Sequence, residues 1–322
     1  MRKIGILLGA SVLAITGAAL AQDGLPYWAY PVAAPAPAGS PPAPKPDDKI
    51  QHHVPGSKAS FTEAGTNDRF NIPDWHPAGH AAMPRIIEHG KAPDVMACGY
   101  CHLPNGHGRP ENAPLAGQPA NYLIEQVKEM KEGRRVSSGK MGSVAAMVKI
   151  AKAVSPEDLK IAAEYFAKTK YTKWIRVVES DMVPKTEISS HNMLVPVAGA
   201  PKEKLGRRII EMPEDLERTE LRDAASGFVA YVPKGSIAKG KALVTSGMGA
   251  QPCTDCHGKT LHGDGDVPGL AGRSPSYITR QLYDFQHGTR GGPAADPMKP
   301  EVAKLNDESR MAIAAYLASL KP

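Results

Sequence analysis

Apolar side chains recur at helical spacing in two distant parts of the chain, and similar residues supply them each time. Ile161, Ala162, Tyr165 and Phe166 form one stripe, and Ile313, Ala314, Tyr316 and Leu317 form the other. Each stripe follows a capping residue with an acidic first turn, Ser155-Pro156-Glu157-Asp158 and Asn306-Asp307-Glu308, so each reads as a terminal amphipathic helix. Helices are also expected over 122–131 and 276–285, with short ones over 84–88 and 237–245. A methionine-bearing loop is expected ahead of each terminal helix. Between the two halves the pattern changes to short apolar runs rich in β-branched and aromatic residues. Strands are expected there over 174–178, 193–197, 209–212 and 228–232.

The first 21 residues break both patterns. Arg2 and Lys3 precede a small, apolar run over 4–20, and Ala19-Leu20-Ala21 supplies an A-x-A cleavage site, as in a secretory signal peptide cleaved after Ala21. Export to the periplasm is therefore expected, with no stable membrane span once the signal is removed. From Pro26 to Pro46 there are eight prolines in 21 residues, which predicts a polyproline-like or disordered spacer. His52, His53, His76, His80 and His89 follow without regular ligand spacing and read as scattered, solvent-facing residues.

The 322 residues carry 42% apolar and 22% charged side chains, which excludes a membrane-embedded or a disordered chain and suggests two or three domains. The net charge of +6 falls to +4 without Arg2 and Lys3, too little to suggest nucleic-acid binding. There are only four cysteines, too few for a disulfide scaffold, and all fall in two motifs: Cys98-Gly99-Tyr100-Cys101-His102 and Cys253-Thr254-Asp255-Cys256-His257.

These motifs open a duplicated module. An offset of 155 carries His102 onto His257, Leu115-Ala116-Gly117 onto Leu270-Ala271-Gly272, Tyr122 onto Tyr277, Gln126 onto Gln281 and Arg135 onto Arg290. Beyond a four-residue shortening, Met147 falls on Met298 and Tyr165 on Tyr316. C-x-x-C-H places two thiols within a helical turn, where they can form thioethers to the two vinyl groups of one haem. The adjacent histidine then sits under the iron. A redox dithiol would need a βαβ setting, and zinc would need the two pairs to converge. The expected cofactors are therefore two covalently bound haem c groups, held by Cys98, Cys101, Cys253 and Cys256.

His102 and His257 are the expected axial iron ligands. Met147 and Met298 are the candidates for the opposite face because they hold matched positions, eight residues before each capping residue. Met141 is the rival in the first module, and His107, His262 and His287 are weaker alternatives. Pro114 and Pro268 are expected to offer carbonyls to the axial imidazoles, and Leu115 and Leu270 to pack on the haem faces. Tyr122, Tyr277, Arg135 and Arg290 are candidates for the haem propionates, with ordinary packing as the alternative.

Taken together, the paired C-x-x-C-H, Leu-Ala-Gly-x-x-x-x-Tyr-x-x-x-Gln, Gly-x-Arg, methionine and terminal helix resemble the tandem dihaem class I cytochromes c, the c-four group. The resemblance covers about residues 84–170 and 237–322. It implies a mainly α chain of two class I cytochrome c-type domains with His and Met ligation. The expected organisation is a signal peptide (1–21), a Pro-rich, irregular extension (22–80), cytochrome c domain 1 (81–172), a β-rich insertion (173–235) and cytochrome c domain 2 (236–322). The extension and the insertion depart from that family, and the insertion is expected to pack against and space the two modules. The implied function is single-electron transfer between redox proteins, such as a periplasmic dehydrogenase, an oxidase or another cytochrome, without catalysis. The alternatives are an electron-accepting subunit of a dehydrogenase, or a dihaem peroxidase-like enzyme in which one iron lacks its methionine.

Overall fold

The computed structural model describes residues 24–35, 39–41, 45–247 and 251–322. The expected signal segment, 1–21, lies outside the described residues. The first half contains α1 (Glu63–Thr66), α2 (Arg85–Glu88), α3 (Cys98–His102), α4 (Ala120–Lys131), α5 (Gly142–Ala153) and α6 (Pro156–Lys168). Strands β1 (Ile175–Glu179), β2 (Met182–Pro184), β3 (Thr186–Ile188), β4 (Leu194–Pro196), β5 (Lys202–Lys204) and β6 (Ile210–Pro213) follow, then α7 (Leu216–Glu220) and β7 (Phe228–Val232). The last part holds α8 (Ser236–Ser246), α9 (Cys253–Cys256), α10 (Pro275–Gln286), α11 (Met298–Val302) and α12 (Asp307–Ser319).

The expected caps operate as drawn. The Ser155 hydroxyl accepts from the Asp158 amide at 3.1 Å, with Pro156 in the first turn of α6. The Asn306 side chain accepts from the Ser309 amide at 2.9 Å. Each caps an otherwise unpaired helix N–H. The first half then closes a core of Ile86, Ile87, Leu123, Ala163 and Phe166 between α2, α4 and α6.

Among the β segments, β1 runs parallel to β7, with Ile175 opposite Phe228, and β6 runs antiparallel to β7. The period-two pleat sends alternate residues to opposite faces. Phe228, Ala230 and Val232 enter the core that also contains Val244 of α8 and Met311 and Ile313 of α12. Val229 enters a second cluster with Val183, Leu205, Ile210 and Met212. The sheet is therefore one wall of the second module's core. Each fully buried side chain such as Phe228 contributes about 1.5–3 kcal/mol. The crossing of α8 and α12 is tight: a Cβ on Gly240 would lie 1.9 Å from the Ala312 carbonyl oxygen.

Three expectations are overturned. First, the Pro-rich stretch is not all spacer. Tyr27–Ala29 form a 3₁₀ turn, and Trp28, Ala29 and Tyr30 are buried, with Tyr30 edge-on to Tyr283. Two large aromatic rings bury enough area to offset the ordering of a chain that proline has already stiffened. Second, Met147 stands on the twelve-residue helix α5 and not in a loop. Met298 likewise opens the short helix α11; residues 142–153 hold no proline and are rich in Ala and Lys, whereas Pro293, Pro297 and Pro300 keep the matching segment short. Third, His76 and His80 are not simply solvent-facing. His76 pairs with Asp223 at 2.8 Å, tying residues 74–80 to the body of the fold, and His80 pairs with Asp74 at 3.1 Å within that segment.

Candidate functional site

The first motif forms the short helix α3 at the wall of a cavity of about 1450 Å³, measured with its open mouth. Cys98, Cys101 and His102 line one side; Leu115, Met147 and Phe166 are also in the lining. Met141 is absent from this lining and is buried in the other core, in the cluster that holds Tyr30 and Met193. In the second module Cys253, Leu270, Met298 and Tyr316 pack around the core formed by α8, α10 and α12.

The two histidines are held identically. His102 Nδ1 lies 2.9 Å from the Ala113 carbonyl oxygen, and His257 Nδ1 lies 2.8 Å from the Pro268 carbonyl oxygen. A carbonyl only accepts, so each Nδ1 carries the proton and each Nε2 keeps its lone pair for a metal. Burial pushes both imidazoles below the usual histidine pKa and so favours the neutral, ligating ring. The expected role of Pro114 is corrected here. Its carbonyl accepts from Arg273 at 2.8 Å, because the histidine-to-carbonyl spacing, and not the proline, is the repeated feature. The offset of 155 carries Ala113 onto Pro268.

The thiols do not suit redox chemistry. Burial pushes Cys98 up to about 12 and Cys253 up to about 11, so neither is poised as a reactive thiolate. Among the described residues, no three or more His, Cys, Asp or Glu side chains gather as a metal site. The rival histidines are otherwise engaged. His107 stacks on Trp174 at 5.8 Å with Nε2 against the Thr172 hydroxyl; His287 stacks on Tyr283 at 3.8 Å; His262 is exposed.

The inner end of the cavity is where the modules meet, and the repeat-matched polar residues interlock there. Arg135 donates to Gln126 at 2.9 Å and across the interface to Gln281 at 3.1 Å and Tyr277 at 3.3 Å. Arg290 mirrors it, donating to Gln281, Gln126 and Tyr122, each at 2.9 Å. Both guanidinium groups are buried, yet every one of these partners is neutral. A buried cation without a bonded anion is costly, so this end of the cavity fits the propionate edge of a haem. The Ser137 hydroxyl, which lines the cavity and is buried without a partner, is a further waiting donor.

Two features had little sequence signal beyond the repeat. Arg273 donates to the Ala116 carbonyl at 2.9 Å as well as to Pro114, while Gln118 exchanges two hydrogen bonds with Gly269. The offset of 155 pairs Gln118 with Arg273, so each module's turn grips the other. Tyr30 donates to the Asp284 carboxylate at 2.8 Å, and Asp284 also lines the cavity.

With this geometry in place, similarity to known proteins can be read. The cytochrome c family model matches residues 237–321. The chain is 28% identical over 249 residues to cytochrome c4 of Azotobacter vinelandii, covering 75% of this chain and 91% of that protein. It is 33% identical over 95 residues to cytochrome c-554(547) of Halothiobacillus neapolitanus, covering 27% of this chain and 99% of that protein. A third relative, 25% identical over 250 residues, is a thiosulfate dehydrogenase electron acceptor of Thiomonas intermedia (strain K12); the match covers 76% of this chain and 83% of that protein. The chain carries two covalently bound haem c groups and transfers electrons between redox partners. The duplicated motif, the matched histidine geometry and these relatives together lead to one conclusion: the chain belongs to the cytochrome c family, as a dihaem class I cytochrome of the cytochrome c4 type.

Proposed function

We propose that the chain is an exported, periplasmic single-electron relay, cleaved after Ala21. In this reading Cys98, Cys101, His102 and Met147 serve one haem, and Cys253, Cys256, His257 and Met298 serve the other. The domains are 81–172 and 236–322, with 22–80 and 173–235 as additions. The observation that carries this reading is the pair of identically anchored histidines beside paired cysteines, with Met147 in the same cavity lining. Met141, buried among Tyr30 and Met193, is set aside.

Bound in this way, each haem supplies a reversible one-electron couple. The protein's part is electrostatic and geometric. The Ala113 and Pro268 carbonyls fix the imidazole planes and raise their basicity. The thioethers of Met147 and Met298 favour the reduced state. Arg135 and Arg290 supply buried positive charge at the shared inner edge, where they would offset the charge of bound haem propionates. Held by His102 with Met147 and by His257 with Met298, the irons would keep no position open for peroxide, which supports a carrier over an enzyme. No helix among the described residues is long and apolar enough to cross a membrane.

The partner class follows from relatives whose names identify them as the thiosulfate dehydrogenase electron acceptor and the cytochrome subunit of sulfide dehydrogenase. We assign this chain the same position, accepting electrons from a periplasmic dehydrogenase of small sulfur compounds. In the test, one sample of the oxidised holoprotein is titrated with dithionite, and a second oxidised sample is mixed with a thiosulfate dehydrogenase and thiosulfate. Uptake of two electrons per chain, rapid enzymatic reduction and no peroxide turnover are expected. Peroxidase activity, or a near-infrared methionine-to-iron band accounting for one haem only, would overturn the carrier reading.

A further inference from the structure

The two segments that depart from the cytochrome pattern, the N-terminal extension and the β-rich stretch, meet at one place. That place is the first C-x-x-C-H motif. Ile72 from the extension presses on the first variable residue: a Cβ on Gly99 would lie 2.4 Å from the Ile72 Cδ1 atom. The Arg69 carbonyl accepts from the Ala97 amide just before Cys98, at 2.9 Å. Arg222, from the turn after α7, covers the second variable residue. Its guanidinium centre lies 3.7 Å over the Tyr100 ring, and Nη1 donates to the Tyr100 carbonyl at 2.9 Å.

The covering segments are also fastened to each other and to the module. Trp75 Nε1 donates to the Leu221 carbonyl at 2.8 Å, and Val54, Trp75 and Leu221 share a small core. Asp223, with both His76 and Arg218 on its carboxylate, joins the extension to α7. Asn105 of the first module donates to the Ala224 carbonyl at 2.6 Å. Arg222 itself is held in the left-handed region, at φ 57°, which a non-glycine residue adopts only when its surroundings demand it.

The second motif has no such cover among the described residues. Its matched positions Asp255 and Cys256 are exposed, whereas Tyr100 and Cys101 are not. Because the cysteines bond to the haem's vinyl edge, their exposure reports the exposure of that edge.

We infer that residues 52–76 and 215–226 form a two-part cover, clamped by Arg222, that closes the first haem's thioether edge, so that electrons enter and leave through the second haem's Cys256 edge. The first haem then exchanges electrons through the second, across the interlocked modules. Electron tunnelling weakens steeply with distance, and a layer of side chains between the first haem and any docked protein is enough to favour the open edge. Arg222 also places a buried cation beside Cys101, which opposes the additional positive charge of the ferric state and holds the first haem's potential up. This inference rests on the presence of two haems and is independent of which methionines ligate them.

The test is paramagnetic accessibility. Proton NMR of the oxidised holoprotein resolves the hyperfine-shifted haem methyl signals, and a neutral, soluble gadolinium(III) chelate broadens those it can approach. The second haem's set is identified by its displacement in Cys256→Ala, which leaves one vinyl group unbonded; Cys253→Ala is the substitute if that variant loses its haem. The second set should broaden several-fold more than the first, and Arg222→Ala and Ile72→Ala should each bring the first set towards the second. In addition, Arg222→Ala should lower one of the two midpoint potentials, with partial recovery in Arg222→Lys. Equal broadening of the two sets in the unaltered chain, or stronger broadening of the first, would overturn the proposal. The kinetic counterpart uses a reduced blue-copper protein at low ionic strength. Lys259→Glu, beside Cys256, should change the bimolecular rate several-fold, while Glu220→Gln, on the cover, should change it less than twofold. The reverse order would place the port at the covered edge and sink the idea.

Discussion

Individual residues decide the haem environment, and several of them could be ranked only after the chain was folded. Met141 and Met147 illustrate this, being six positions apart and chemically identical. Met147→Ala should abolish about half of the near-infrared methionine-to-iron absorption and admit external ligands to one haem. Met141→Ala should leave that absorption intact and instead lower the unfolding free energy by about 2–5 kcal/mol, the usual cost of truncating a buried methionine. Loss of the band in Met141→Ala would reverse the assignment. Glu211 is a second residue whose role depends on its setting. It is buried on β6, with its carboxylate accepting from the Ser274 hydroxyl at 2.8 Å and the Ser276 amide at 3.2 Å. Burial raises its pKa above the ordinary carboxylate value despite these donors and the nearby Arg280. The folded state therefore holds this proton more tightly than the unfolded state, and stability falls as pH rises from the unfolded carboxylate pKa, about 4.3, to the higher folded value. Glu211→Gln should accordingly melt above the unaltered protein at pH 7 and lose that advantage by about pH 4, as calorimetry across that range would reveal.

At the scale of elements, helix positions were legible because their signals are local. Capping residues, acidic first turns and apolar periodicity lie within one segment, and α4, α6, α10 and α12 formed within a few residues of expectation. The methionine-bearing segments were expected as loops, but both hold helix: α5 because its own composition favours one, and the short α11 within the limits its flanking prolines set. Strands β1, β4, β6 and β7 were legible as strands but not as a sheet, and the three-residue β2, β3 and β5 were too short to leave a pattern. Parallel pairing of β1 with β7 joins residues more than fifty positions apart, and no local pattern encodes that. Because this sheet forms a wall of the core shared with α8 and α12, removal of residues 178–233 should collapse the second module and its haem content together, measurable by haem-to-protein ratio. A deletion that kept both haems would mean that the sheet is only an appendage. The α8–α12 crossing gives a finer test. Gly240→Ala forces backbone apart and should cost about 1–3 kcal/mol in chemical denaturation, as overpacking does.

Across the whole molecule, the duplication makes an interface that is nearly symmetric in its chemistry. Arg135 and Arg290 each reach into the opposite module, and Gln118 and Arg273 do the same one layer away. Symmetric interlocking explains why these residues recur at one offset although no local structure requires them. Removing either buried cation should lower a haem potential and weaken the docking of the modules. Arg135→Gln and Arg290→Gln should therefore each lower a midpoint potential. Their double-mutant cycle should show a coupling of about 0.5–3 kcal/mol, because both guanidinium groups share Gln126 and Gln281. Strict additivity would mean that the two arginines act separately. The symmetry ends at the outer edges, where Arg222 and Ile72 cover one motif and Cys256 is left exposed at the other.

The sequence by itself determined the chemistry. Two C-x-x-C-H motifs, a repeat at one offset and matched methionines specify covalent haems in duplicated modules, because ligand spacing and helix periodicity are written within short stretches of chain. Tertiary structure alone decided which carbonyl anchors His102, which methionine enters the first cavity, and that Trp28 and Tyr30 belong to the core. It also decided that the extension and the β-rich segment converge on the first motif. Those outcomes depend on contacts between residues tens to hundreds of positions apart, whose pairing follows from the packing of whole elements and leaves no periodic trace in the sequence.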